Sequence, residues 1–145
     1  MQLTPNSMWE AWGRTNALYT AWCTGAGHNP YRMLVLYAID EHEPITQKSI
    51  ADRTGLSKQT VSTVMRPLRD EGYVTLSTVE TDRREKRVEF TKKGREYACE
   101  LLSPLYEIER RVFEAVGAER VKRMSEAIEL FNTAFENEME SQASE

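Results

Sequence analysis

Apolar positions recur at helical spacing along most of this chain, with one central stretch where the period shortens to two. Trp9, Trp12, Tyr19 and Trp22 stand three and seven residues apart, which puts them on one stripe of a helix. That spacing predicts a helix from Pro5 to Cys23, with Thr15 and Asn16 as polar interruptions. Gly25-Ala26-Gly27-His28-Asn29-Pro30 ends it, through glycine freedom and the constraint proline places on its predecessor. From about Tyr31 to Glu41 the chain is nearly apolar on every side except at Arg32, the pattern of a core helix.

Thr46 is the expected N-cap of a short helix, Gln47 to Thr54, and Gly55 suits the left-handed turn that ends one. Ser57 caps a further helix running from Lys58 toward Glu71 and stopping at Gly72. Pro67 lies inside it and predicts a kink between Thr63 and Pro67, or a break into two pieces. Tyr73 to Thr78 and Lys86 to Phe90 alternate apolar and polar residues, as strands of a hairpin do. Thr91 caps a long helix reaching Val116, with Ala98, Leu101, Leu102, Leu105, Ile108, Val112 and Val116 on its apolar face and Pro104 as the expected bend. Gly117 breaks it. From Ala118 onward Val121, Met124, Ile128, Phe131, Phe135 and Met139 recur at threes and fours, a seam of coiled-coil type. The tail from Ser141 to Glu145 is expected to lack structure.

The 145 residues suit a single domain, and 40% hydrophobic with 29% charged residues is an ordinary globular composition. The longest apolar run is far short of the ~20 residues of a membrane helix, and the N-terminus lacks a secretory pattern, so the cytoplasm is the expected compartment. Two cysteines, Cys23 and Cys99, make no disulfide framework. The net charge of -4 is unevenly spread: residues 44–95 hold twelve Lys and Arg against seven Asp and Glu, and the flanks hold seven against sixteen. A basic middle between acidic ends points to local contact with a polyanion.

Two helices joined by a tight turn need apolar residues where they touch, a small residue at close approach and a glycine in the turn. Ile50, Leu56, Val61 and Val64 meet the first need, Ala51 the second and Gly55 the third. With those inward, Lys58, Gln59, Ser62 and Thr63 face outward, and Arg66 follows one turn on. Such side chains suit the donors and acceptors on base edges in the major groove. The hairpin tip Asp82-Arg83-Arg84, with Lys86, adds basic groups beside it. The candidate DNA contacts are Thr46, Lys48, Ser57, Lys58, Gln59, Ser62, Thr63, Arg66, Asp82, Arg83, Arg84 and Lys86.

Ala51 through Val74 resembles the helix-turn-helix of the MarR family of winged-helix transcription regulators. Thr81-Asp82-Arg83-Arg84 and Val88-Glu89-Phe90-Thr91-Lys92-Lys93-Gly94 resemble that family's wing and the entry to its next helix. The resemblance implies a mainly α fold with a small β-hairpin wing: a winged helix-turn-helix over residues 44–95, flanked by dimerisation helices over 1–30 and 96–140. It implies a homodimer on a palindromic operator, acting as a ligand-responsive repressor, often with a small aromatic effector. It also implies that Asp82 steadies the wing while Arg84 reaches the minor groove, where negative potential is concentrated.

For such an effector, Trp12, Thr15, Asn16 and Tyr19 are the candidate contacts, although aromatics at helical spacing more often fill a packed interface. Two other readings compete: a redox-responsive regulator using Cys23 or Cys99, and a helical interaction module that binds no DNA. Cys23 stands at a helix C-terminal end, where the dipole opposes a thiolate. His28 and His42 lie apart, and no metal or other cofactor is expected. No phosphate loop, nucleophile elbow or metal triad is present, so no enzymatic activity is expected.

Overall fold

In the computed structural model, residues 5–79 and 81–144 are described, apart from the side chains at positions 5, 6, 79 and 82–84. The elements, in chain order, are α1 (Pro5–Gly25), α2 (Pro30–His42), β1 (Ile45–Thr46), α3 (Gln47–Thr54), α4 (Lys58–Asp70), β2 (Val74–Val79), β3 (Asp82–Phe90), α5 (Lys92–Val116) and α6 (Ala118–Ala143). Helix predominates, with one small antiparallel sheet in the order β1-β3-β2. The chain divides into two compact units, Met1–Leu102 and Ser103–Glu145.

In the first unit the helix boundaries follow the caps. The Asn29 side chain accepts from the Tyr31 and Arg32 N–H groups, with Pro30 in the first helical position, where its missing N–H does no harm. Thr46 Oγ1 accepts the Ser49 N–H at 3.0 Å. Gly55 closes α3 in the left-handed region at φ 71°. The core lies around α2: Val35, Leu36 and Ile39 are fully buried, as are Ile50 of α3, Leu68 of α4 and Val88 of β3. An N–H or C=O left unpaired in such an interior is costly, and among the described residues no buried side-chain nitrogen or oxygen lacks a partner.

Four expectations need correction. First, of the two alternatives at Pro67, the break into two pieces is not found: α4 is one helix from Lys58 to Asp70. Val61, Met65 and Leu68 are buried on both sides of the proline, and that packing outweighs the single backbone bond the ring removes. Second, β3 starts at Asp82, not Lys86, with Val79 paired to Asp82 and a register shift between Thr78 and Val79. The charged run 82–87 carries no apolar alternation, so the strand there rests on backbone pairing with β2. Third, Ile45 and Thr46 form a strand, pairing with Val88 and Arg87; two residues are too few to show a period. Fourth, α6 extends to Ala143, so Ser141 and the two residues after it are helical.

The end of α4, the start of the hairpin and the first turn of α5 meet at Tyr73. Thr91 Oγ1 donates to the Gly72 carbonyl at 2.6 Å and accepts the Gly94 N–H at 3.0 Å. The Tyr73 and Tyr97 rings stack, with centroids 4.1 Å apart. Lys93 Nζ lies 4.8 Å over the Tyr73 ring and donates to the Glu71 carbonyl at 2.8 Å. Glu43 adds a tie from the other side, accepting the Phe90 N–H at 2.9 Å and pairing with Arg95 at 2.5 Å.

The second unit holds the last turns of α5, helical through Pro104, and α6, with Gly117 between them at φ 95°. No residue of α6 is buried, and Met124, Ile128, Phe131, Phe135 and Met139 are all exposed along its seam. On α5 the Arg110 and Arg111 side chains hydrogen-bond Glu107 and hold its carboxyl at about 2, well below the usual range. That solvent-facing network is screened by salt.

Gly94 is required by its close approach to the hairpin: a Cβ there would fall 1.7 Å from the Tyr73 carbonyl oxygen. Backbone cannot yield as a flexible side chain does. Gly94→Ala is therefore expected to destabilise the first unit by at least about 2–3 kcal/mol, read as a lower midpoint in urea unfolding.

Candidate nucleic-acid interface

Burial of Val61, Met65 and Leu68, at 1%, 2% and 0% exposure, fixes which side of α4 faces the core. At 3.6 residues per turn the opposite side must be open, and Lys58, Gln59, Ser62, Thr63 and Arg66 are all exposed there. Ile50 and Ala51 are buried as expected and Leu56 is half-buried. Val64 is not the core residue the sequence suggests: it is half-buried on the flank of α4, and Met65 and Leu68 take the inner positions. Steps of four and seven from Val61 lead to both.

Several hydroxyls in this region serve the backbone first. Thr46 caps α3. Ser57 Oγ accepts the Thr60 N–H at 3.1 Å and donates to Thr60 Oγ1 at 2.9 Å. Thr63 Oγ1 donates to the Gln59 carbonyl at 2.9 Å. These bonds hold the first turns of α3 and α4 in place.

A cleft of about 340 Å³ opens between the start of α3, the outward side of α4 and the hairpin at Leu76, Glu85 and Lys86. It brings together four of the residues singled out from the sequence: Thr46, Lys48, Ser62 and Lys86. Arg66 lines an adjoining hollow with Ser62. Gln47, Arg69, Leu76 and Glu85 share these walls and are not among the sequence candidates. For Arg69 a signal exists, since it lies seven residues beyond Ser62, two turns along the same stripe. On the other flank of α4 a second cleft of about 430 Å³ is lined by Asn29, Tyr31 and Arg32 together with Gln59, Thr60, Thr63, Val64 and Pro67. Its wall is braced: Arg32 pairs with Glu71 at 3.1 Å and donates to Tyr97 Oη at 3.0 Å. Asp82, Arg83 and Arg84 have their backbone in β3; their side chains lie outside the described residues.

Trp12, Thr15, Asn16 and Tyr19 are exposed along α1, and the Thr15 hydroxyl donates to the Ala11 carbonyl at 3.1 Å. Cys23 is buried and Cys99 exposed, and neither forms a disulfide. Burial pushes the Cys23 thiol up, the direction opposite to a reactive thiolate. Among the described residues, no group of three or more His, Cys, Asp or Glu is placed to hold a metal ion, and no helix is long and apolar enough to cross a membrane.

Two short helices, a third whose polar side lies open, and a hairpin directly after it form a winged helix-turn-helix. Residues 29–85 match the MarR family model. NMB1585, a MarR family regulator from Neisseria meningitidis, superposes with a TM-score of 0.84 at 24% identity, over 97% of this chain and 99% of that one. The fold is that of the MarR regulators. A MarR family regulator from Silicibacter pomeroyi gives 0.69 at 19% identity, over 88% and 86% of the two chains. BpsR of Bordetella bronchiseptica, whose DNA binding is regulated by 6-hydroxynicotinic acid, gives 0.66 at 17% identity, over 90% and 94%. No curated protein sequence matches the chain. In this MarR fold α3 and α4 are the helix-turn-helix and β2 with β3 are the wing.

Because the Ser57 hydroxyl is a cap in this MarR fold, Ser57→Ala should lower stability by about 1 kcal/mol. Urea unfolding in the absence of any nucleic acid reads that change directly; an unchanged midpoint would show that the cap contributes nothing.

Proposed function

We propose that this chain is a ligand-responsive transcription regulator, a cytoplasmic repressor that binds a palindromic duplex operator as a homodimer. The observation that carries this reading is the open polar side of α4 beside a hairpin that bears Lys86. Gln59 and Ser62 read base edges in the major groove, Gln59 suiting adenine and Ser62 several bases. Lys48, Lys58, Arg66 and Lys86 contact phosphates, and Arg84, steadied by Asp82, enters the minor groove, with Arg83 in support. Thr46 and Ser57 orient the two helices, and Thr63 borders the base-reading side.

The homodimer reading is supported by α6, which has no buried residue, and by the exposed aromatics of α1. Apolar surface of that extent marks an association surface, and two-fold symmetry matches a palindrome. Light scattering at micromolar concentration is expected to give twice the chain mass. Phe131→Asp with Phe135→Asp should shift it toward one, since both side chains are exposed in the single chain. A stable monomer for the unaltered protein would sink the dimer.

For effector response, support comes from relatives: BpsR is regulated by 6-hydroxynicotinic acid, and a Staphylococcus aureus MarR is held in complex with salicylate and kanamycin. A small aromatic effector against Trp12, Thr15, Asn16 and Tyr19 would weaken DNA binding here.

The DNA reading is tested on a randomised duplex library. Gln59→Ala and Ser62→Ala should change preference at particular positions by about 1–3 kcal/mol, roughly fivefold to 150-fold. Lys58→Ala and Arg66→Ala should weaken all sequences alike, and Arg84→Ala should weaken binding without unfolding the domain. An unchanged preference profile in the first two variants would show that base reading belongs to a different face of α4.

A further inference from the structure

The geometry points to a seat for one phosphodiester strand in the cleft between α4 and the hairpin, with Arg69 and Gln47 as phosphate-binding groups and Glu85 as a brake on affinity. This seat presupposes the reading of the chain as a duplex-DNA binder. In B-form DNA a major groove and its neighbouring minor groove share one sugar–phosphate strand as their common wall. A protein that sets α4 in the first and a hairpin in the second must straddle that strand. The cleft of about 340 Å³ lies between these two elements.

Its walls have the chemistry of a polyanion site. Lys48 from α3, Arg69 from α4 and Lys86 from β3 supply a cation from each side. Arg69 has Asp70 as an ion-pair neighbour at 4.0 Å, with both side chains more than half exposed. Such a pair holds the guanidinium weakly, leaving its planar fork open to phosphate oxygens. Gln47, half-buried at the start of α3, adds amide donors. Glu85 sets a carboxylate in the same cleft. Beside a phosphate it repels, so it lowers affinity for every sequence to the same degree.

The test is the salt dependence of binding of the full chain to a mixed-sequence duplex of about 30 base pairs, roughly three helical turns. Arg69→Ala should lower the slope of log affinity against log salt by about 0.9 for each phosphate it no longer neutralises, which is about eightfold in affinity at 0.1 M salt. Arg69→Lys should restore the slope, and Gln47→Ala should weaken binding with the slope kept. Glu85→Gln should tighten binding on all sequences. None of the four should alter the preference profile on a randomised library. If Arg69→Ala does not fold, Arg69→Gln gives the same readout.

A folded Arg69→Ala or Arg69→Gln protein with the unaltered slope overturns the seat while leaving the DNA reading intact. A changed preference profile overturns it too, by making Arg69 a base reader. An unaltered protein with no salt-dependent affinity for duplex DNA overturns the seat and the DNA reading together.

Discussion

Three side chains on one stripe of α4 decide what the rest of that helix can do. Val61, Met65 and Leu68 are sealed into the core made by α2 and α3, and helical geometry then leaves no choice about which residues are outermost. The same packing carries the helix through Pro67, where propensity alone predicts a kink or a break. Apolar burial, at roughly 1.5–3 kcal/mol for each such side chain, is large enough to override a local conformational preference of about 3 kcal/mol. The open side of α4 is thus a by-product of a strong constraint on its other side.

Capping is the second layer of control. Asn29, Thr46, Ser57 and Thr91 each place a side-chain oxygen at the start of a helix. Each sets where a helix begins and so the register of everything after it. Thr46 also lines the cleft that faces the hairpin. A hydroxyl at such a position looks, along the sequence, like a group kept for a partner molecule. In the fold, the Thr46 and Ser57 oxygens are bonded to the protein's own backbone.

Much of this is legible in the sequence because it depends on short-range rules. Caps at Thr46, Ser57 and Thr91, stops at Gly55 and Gly117, and the outward set Lys58, Gln59, Ser62, Thr63 and Arg66 all follow from spacing. What escapes depends on pairing or packing between distant residues. Ile45 and Thr46 are a strand only because Val88 and Arg87 lie alongside. Asp82 to Lys86 are charged throughout, so nothing local marks them as strand. Val64 suits the core by its side chain alone, whereas Met65 and Leu68 hold it by position. Gln47, Arg69 and Glu85 carry no local mark because a cleft shared by three elements has no signature along the chain. The candidate effector residues on α1 stand where the spacing puts them, exposed on one helix.

The Tyr73 junction has a mechanical meaning. The Gly94 backbone presses on the Tyr73 carbonyl, and the ring of Tyr73 is clamped between Tyr97 and Lys93. The end of α4 and the root of the hairpin are therefore both anchored to the start of α5. Their separation acts like the gauge of a railway track, set by the protein and not by what runs along it. For a duplex seated on both elements, any misfit in groove spacing must be taken up by bending or twisting the DNA. Stiff and pliant sequences would then be told apart at base pairs that no side chain touches.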